Sequence, residues 1–567
     1  MALQDTDLLA AQRGATTYSV PASELKTFVN PNGQWNKVGT DLVPITPGDT
    51  VPSEYVSYTS TGTGAVKRTA KAKFQDVLSV KDFGAVGNGT TDDTAAIQAA
   101  INAAGAAGGG TVFIPPGSYR VGTLSIITNN ITLTGASRHD SRLIYKDATG
   151  NTIQLGVNDA NGWDAPGKSS GKNLTVRNLT IHQNSGVLRT AGAAIIGWNL
   201  YYFTIQNVII TDWYDGISIN AGFLGEITDV WHNREFRASV TNRANVAVAC
   251  RYNTLSARGC VNIKLTRVDG AGPEFWLTTA FLVESADWMM MAQCHFNHAA
   301  TAIRVEPKDI VHDLWCSDCY FDKTETSHIV VAGANSGKTF QHLKFANCYF
   351  RLPGLRNVSI EYAGTVRDML FQGCDFSDSP AAGYLEDTAG TVEDVAFVGC
   401  KFINSASVSS NVIVTRAARS VITGCTFKNT AGGYTVQALD VQRLTLTGND
   451  FTTANASVDD LFIGGNVLVK QSANNGLTTT STAKTVAGAS TTTATSPTTG
   501  IVTIPHGLAS TPVFYAGYVA GTTYVAIPSG AGATNIEFRI MNVTTGTAVT
   551  NANVTVRWQA FLSFDGV

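Results

Sequence analysis

Charge is what this sequence has least of. Charged residues make up 15% of its 567 positions, well short of the roughly one quarter of an average soluble domain. The 40 basic and 43 acidic residues nearly cancel, and no long basic run occurs, so nucleic-acid binding has no electrostatic footprint. Long apolar runs are missing too. Nothing approaches the roughly eighteen consecutive apolar residues of a spanning helix, so no membrane insertion is expected. The segment from Met1 to Ala11 carries Asp5 and Asp7 and lacks the basic-then-apolar order of a secretory signal. The cysteines number nine, an odd count, and the one CxxC, at Cys316 and Cys319, has no second pair to complete a zinc site. The glycine stretch 105–110 lacks the strand–GxGxxG–helix order of a dinucleotide loop and reads as a helix stop. No metal and no cofactor are expected.

What is present is glycine, at 54 residues, and an apolar fraction of 44%. A chain this long exceeds one ordinary core, so several domains or a repeat is expected.

The repeat shows when the cysteines are aligned. Gly373-Cys374-Asp375-Phe376 recurs as Gly399-Cys400-Lys401-Phe402 and Gly424-Cys425-Thr426-Phe427. Gln293-Cys294-His295-Phe296, Asp318-Cys319-Tyr320-Phe321 and Asn347-Cys348-Tyr349-Phe350 share the form, and Gly448-Asn449-Asp450-Phe451 puts Asn in the Cys place. From Cys294 to Asn449 the steps are 25, 29, 26, 26, 25 and 24 residues. Two earlier copies, Asn178-Leu179-Thr180-Ile181 and Asn207-Val208-Ile209-Ile210, use aliphatics.

Counting from the anchor, positions −5 and −3 alternate with period two, as do 0 and +2, which marks two half-buried strands. The phase slips by one residue at −1, where seven of nine copies have Gly or Asn, the residues that best tolerate a left-handed backbone. The unit is strand, corner, strand, variable loop, further strand. Stacked about 4.8 Å apart, such units bury one ladder of Phe side chains and one of reduced cysteines acting as small hydrophobes. A leucine-rich repeat shares part of the spacing, but Ala302–Glu306 and Asn411–Thr415 read as strand, and no helical period fills the unit. The fold expected is all-β: a right-handed parallel β-helix with a short N-terminal attachment segment and a small C-terminal β-sandwich.

Residues 79–121 carry Val80-Lys81-Asp82-Phe83-Gly84-Ala85, Gly87-Asn88-Gly89, Thr91-Asp92-Asp93-Thr94 and Gly108-Gly109-Gly110-Thr111-Val112-Phe113-Ile114-Pro115-Pro116-Gly117. This resembles the opening segment of the pectate-lyase-like superfamily found in phage tailspikes and depolymerases, with Asn88 where Asp is common. Read from the residues, Asp92 or Asp93 caps a helix whose Ile97, Ala100, Ile101 and Ala104 share one face, and that face covers the open end of the stack. Residues 1–29 resemble the N-terminal module of tail fibres from marine and cyanobacterial phages, which implies virion attachment through tail or baseplate proteins. Residues 30–75 read as an extended connector, 76–475 as the β-helix, 476–500 as a Thr/Ser-rich linker. Residues 501–567 are similar to small β-modules that close phage fibres. The resemblance implies a homotrimer on the virion tail, exposed outside the host cell and reached by host lysis, with host-surface polysaccharide as its partner.

Two sets of residues could carry that function. Seven of the nine tryptophans lie between Trp163 and Trp315. A β-helix interior favours Phe, Val and Leu, so Trp213, Trp231, Trp276, Trp288 and Trp315 are candidates to stack on sugar rings, against the alternative of loop packing. Glu284 and Glu306 close the similar strands Phe281-Leu282-Val283 and Ile303-Arg304-Val305, so they are expected on adjacent rungs. Carboxylates about 5 Å apart suit a retaining glycosidase. Asp212 and Asp215, in Asp212-Trp213-Tyr214-Asp215-Gly216-Ile217, faintly resemble a polygalacturonase motif whose other parts are absent, with Glu226, Asp229 and His232 as neighbours. A polysaccharide depolymerase and a non-catalytic glycan adhesin both remain open.

Overall fold

Left-handed residues set the geometry of the solenoid in the computed structural model. The structure describes residues 57–477 apart from 165–170, 184–190, 234–243, 271–276, 310, 334–338, 355, 363, 378–384, 388–390, 404–412, 416, 429–434, 440, 454–460 and 465–466; before and after that span it describes strands alone. All nine corner residues found in the repeat, including Gln293 and Asp318, have φ between 52° and 64°. Each bends the strand once and returns the next residues to the interior. The strands pair in parallel, copy on copy, as in Cys316↔Phe345, Phe345↔Phe371 and Phe371↔Phe397. The result is a right-handed parallel β-helix of about eleven turns, with only 7% of the chain helical.

The interior is the pair of ladders. Phe321, Phe350, Phe376, Phe402, Phe427 and Phe451 stack with ring centroids 4.7 to 5.0 Å apart, and Phe296 joins at 6.2 Å. Each buried ring contributes on the order of 1.5–3 kcal/mol through area alone. Phe345, Phe371 and Phe397 form a parallel stack at position −3, edge-on to the first. All nine cysteines are free and buried. The thiols of the six anchor cysteines donate to carbonyls of the preceding rung, as Cys374 does to Phe345 O and Cys400 to Phe371 O. Burial pushes the Cys316 thiol well up, which keeps it inert. Where the column changes to Asn449, its Nδ2 donates to Ile422 O (2.8 Å) and its Oδ1 accepts from Cys425 N (2.9 Å). Asn474, not evident from the repeat, extends this polar ladder by one step.

Within the span of the aligned copies, two rungs escape the sequence alignment. Val208 pairs with Val230, and Val230 with Val268. Their corners are Asp229 and Arg267 at φ 56° and 51°, joined by an ion pair of 2.6 Å. His232 therefore occupies the ladder column, between Ile210 and Gly270, buried in the core with its ring beside Gly216.

The opening helix runs from Thr94 to Ala106 and buries Ile97, Ala100, Ile101 and Ala104, as its spacing requires. The capping expectation holds for Asp92 and not for Asp93. Asp93 holds the N-cap position without a side-chain bond to the helix; its carboxylate instead accepts from Val86 N (2.6 Å) and Gly87 N (3.0 Å). Asp92 accepts from Thr94 N (3.1 Å) and pairs with Lys146 (2.6 Å). The Lys146 ammonium, with Thr94, holds the Asp92 carboxyl down at about 2.

By contacts the chain divides at residue 78. The first unit contains antiparallel pairs such as Leu8–Arg13 with Thr16–Pro21 and Gln34–Val38 with Asp41–Ile45. Within residues 490–561, two three-stranded antiparallel sheets are built from Ser490–Thr495, Phe514–Val519 and Asn553–Phe561, and from Ile501–Pro505, Tyr524–Ala531 and Asn535–Asn542. Among the described residues no helix is long and apolar enough to cross a membrane.

Two buried histidines make acid stability testable. Burial lowers both His232 and His328 from 6.5 to about 3. Between those values the unfolded chain binds protons that the folded chain refuses, so stability falls as pH drops, by up to about 1.4 kcal/mol per pH unit for each group. Urea midpoints are expected to fall between pH 7 and pH 4, and to fall less steeply in His328→Met. Equal slopes for wild type and variant would refute the assignment.

Candidate functional site

An outward-facing column is as regular as an inward one, because the same register governs both. On the sheet before the corner, Thr175, Thr204, Glu226, Lys264, Met290, Trp315 and Lys344 follow one another on successive rungs. Beside them runs a second line of left-handed residues, six before each anchor: Tyr202, Leu224, Asn262, Trp288, Asp313, His342 and Asp368. Bulky side chains rarely take this conformation, and here it turns them outward at the sheet margin.

The two lines meet at Trp288 and Trp315, which are 60% and 40% exposed. Their rings stack with centroids 6.4 Å apart and planes 25° apart. Lys344 Nζ lies 4.9 Å from the Trp315 centroid, and Met290, also exposed, fills the column beside them. Toward the N-terminus the same face opens into a cleft of about 340 Å³ lined by Tyr202, Thr204, Glu226, Asn262 and Lys264, among others. Gly225 is required there, because a Cβ would sit 2.1 Å from the Phe203 ring. Glu226 and Lys264 face each other at 3.9 Å.

The other tryptophans divide. Trp231 is 39% exposed but lies beyond the corner, on the next sheet. Trp213 is 1% exposed and packs edge-on against Tyr145 at 5.2 Å; its indole belongs to the interior and offers no face to a sugar. Asp212 precedes it with φ 60°, a bend that turns the ring inward. Trp276 lies outside the described residues.

The carboxylates gather on the third sheet. Glu284 and Glu306 do occupy equivalent positions, following the pair Val283↔Val305. They are not left facing only each other. Glu284 is buried and its Oε1 takes both Lys308 Nζ (2.8 Å) and Arg251 (3.1 Å), while Glu306 pairs with Arg304 of its own strand. Arg251 also reaches Asp215 at 3.4 Å and Ser218 Oγ at 3.1 Å. The constellation formed is Asp215–Arg251–Glu284–Lys308, two acids bridged by Arg251 with Lys308 as a second cation on Glu284. Arg251 was missed in sequence reasoning because it sits 33 residues before Glu284, one full turn of the solenoid away. Asp212 is not part of this group; its N–H donates to Asn233 O (3.1 Å).

Fold and face together define a right-handed parallel β-helix with an aromatic and polar outer sheet. Residues 77–211 match the family model described as rhamnogalacturonase A/epimerase, pectate lyase-like. Among curated proteins, the mannuronan C5-epimerase AlgE3 of Azotobacter vinelandii is 39% identical over 129 residues, covering 21% of this chain and 6% of that protein. Alginate lyase 7 of the same organism is 46% identical over 92 residues, covering 15% and 11%. The chain thus spans only a small part of these relatives. Among solved structures, a mutant tailspike protein of E. coli bacteriophage HK620 in complex with pentasaccharide aligns over 90% of this chain and 98% of its own, at TM-score 0.54 and 12% identity. That likeness extends the shared fold well beyond the segment matched by sequence.

Proposed function

We propose that this chain is a tailspike-type receptor-binding protein that attaches a virion to host-surface polysaccharide, with Trp288 and Trp315 as its principal grip. The observation that carries this reading is the exposed, stacked Trp288–Trp315 pair with Lys344 beside it. Stacked indoles on an open sheet expose apolar area that a soluble surface otherwise avoids, and flat rings match the apolar faces of sugars. The nearby cleft supplies hydroxyl, amide, carboxylate and ammonium groups for sugar hydroxyls. The pentasaccharide bound by the HK620 tailspike mutant supports a glycan as the ligand class. In this reading the protein is a homotrimer on the phage tail, held by its N-terminal segment to tail or baseplate proteins and exposed outside the host cell. Binding of the purified chain to polysaccharide from its host, measured against polysaccharide from a resistant strain, tests it. Equal, negligible binding to both would sink it.

A second reading, a depolymerase, is favoured by the Asp215–Arg251–Glu284–Lys308 group. Arg251 fixes two carboxylates of different rungs in one place, as a site that must position acids would. Incubation with host polysaccharide is then expected to release reducing ends, and Asp215→Asn and Glu284→Gln each to lower the rate by at least 100-fold, in line with loss of an acid–base group. Undiminished release in both variants would remove this site from consideration, and no release by wild type would leave the adhesin.

A further inference from the structure

Across the left-handed corner from Trp288 and Trp315, the next sheet turns a different column outward. Trp231, Asp269, His295, Tyr320 and Tyr349 follow one another in register on five consecutive rungs. The rings touch in sequence: His295 lies edge-on to Tyr320 at 5.0 Å, and Tyr320 lies 5.9 Å from Tyr349. His295 Nδ1 stands 3.8 Å from Asp269 Oδ1. Trp231 and Tyr349, at the two ends, are 39% and 48% exposed.

Nothing in the packing of the solenoid requires aromatic rings here, since the interior is already filled from the other side of these strands. Two residues on, Asn297, Asp322 and Arg351 form a parallel column. Asp269 Oδ1, His295 Nε2, Asn297 Oδ1 and Asp322 Oδ1 are shielded from water and make no hydrogen bond within the protein. Polar atoms left in that condition are uncommon. A turn about χ2 of these half-exposed side chains brings them to an arriving ligand. The set holds acceptors, a donor or acceptor in the imidazole, and phenol hydroxyls, alternating with flat rings, which is what a polyhydroxylated ring presents in complement.

We infer that the column from Trp231 to Tyr349 is a second carbohydrate-binding surface, separate from the Trp288–Trp315 face, that takes a neutral glycan segment lying along the rungs. Five rungs span about 19 Å, a length for roughly four sugar rings. Neutrality follows from charge: among the described residues of the two columns, Asp269 and Asp322 stand against one guanidinium, Arg351, and the nearby Arg267 is already paired with Asp229, which disfavours an acidic sugar. The surface does not depend on the role given to Trp288 and Trp315.

The test uses the full chain and an immobilised panel of neutral tetra- to hexasaccharides, with polygalacturonate oligosaccharides of equal length as the acidic comparison. Wild type is expected to bind at least one neutral probe more tightly than the acidic set. Trp231→Ala and Tyr349→Ala should each weaken that binding at least tenfold, and Val86→Ala, exposed in the opening segment, should leave it within twofold. Far-UV spectra matching wild type secure the folding of each variant. Absence of binding to every neutral probe overturns the inference. So does unchanged binding in Trp231→Ala and Tyr349→Ala, or a shift in sedimentation without loss of binding, which would assign the face to a second copy of the chain. Loss of binding in Trp315→Ala alone would return the probe to the first face and also overturn it.

Discussion

Replacing Phe402 by alanine is expected to destabilise the chain by about 3–5 kcal/mol, while Lys401→Ala changes stability by less than about 0.5 kcal/mol. The two residues are neighbours in sequence and opposites in environment. Phe402 is fully buried between Phe376 and Phe427, at 5.0 and 4.9 Å, and Lys401 faces outward on the same short strand. Truncation leaves a gap in a stack that continues above and below, so the neighbouring rings can close it only by breaking their own register. Denaturant unfolding of the two variants beside wild type measures the contrast. A Phe402→Ala chain as stable as Lys401→Ala would mean that the ladder contributes nothing.

The second large effect concerns binding. Trp315→Ala is expected to weaken glycan affinity by about 10- to 100-fold, or about 1.4–2.8 kcal/mol, the range of a central aromatic anchor. Trp288→Ala should cost as much, and the double variant less than the sum, because the stacked pair shares one ligand surface. Lys344→Met, which removes the cation beside Trp315, should cost only about 0.5–1 kcal/mol. Calorimetric titration with a host oligosaccharide reads all four. Affinities within twofold of wild type for both single Trp variants would displace the grip from this face.

The inner ladders were legible in the sequence because their chemistry repeats: Cys and Phe two residues apart, with Gly or Asn before them, recur at nearly constant steps. The rungs of Val230 and Val268 were not, since valine replaces the cysteine and His232 and Gly270 replace the phenylalanine. Only the pairing reveals them. Outward residues are harder still, because their role depends on neighbours 22 to 38 residues away in sequence. Trp315 and Lys344 come together across one rung, and no local pattern announces that. The rule that tryptophan avoids a β-helix interior failed at Trp213, where the bend at Asp212 directs the ring inward against Tyr145. Glu284 and Glu306 were placed correctly by strand similarity, yet the two cations on Glu284, Arg251 and Lys308, come from the rungs on either side of it. Register was readable and pairing across it was not. For the same reason the opening helix was found with its buried face correct and Asp92 among its capping residues, while the work of Asp93 in tying the 86–87 turn was not legible.

Every outward column inherits its position from the inner ones, so the inner ones are the place to test. Thiol labelling of the native chain at neutral pH, followed in time and compared with the unfolded chain, does this directly. Nine buried, reduced cysteines predict no labelling in the folded state and nine equivalents after denaturation. Rapid native labelling of Cys348, Cys374 or Cys400 would contradict the stacked interior and remove the basis for both faces.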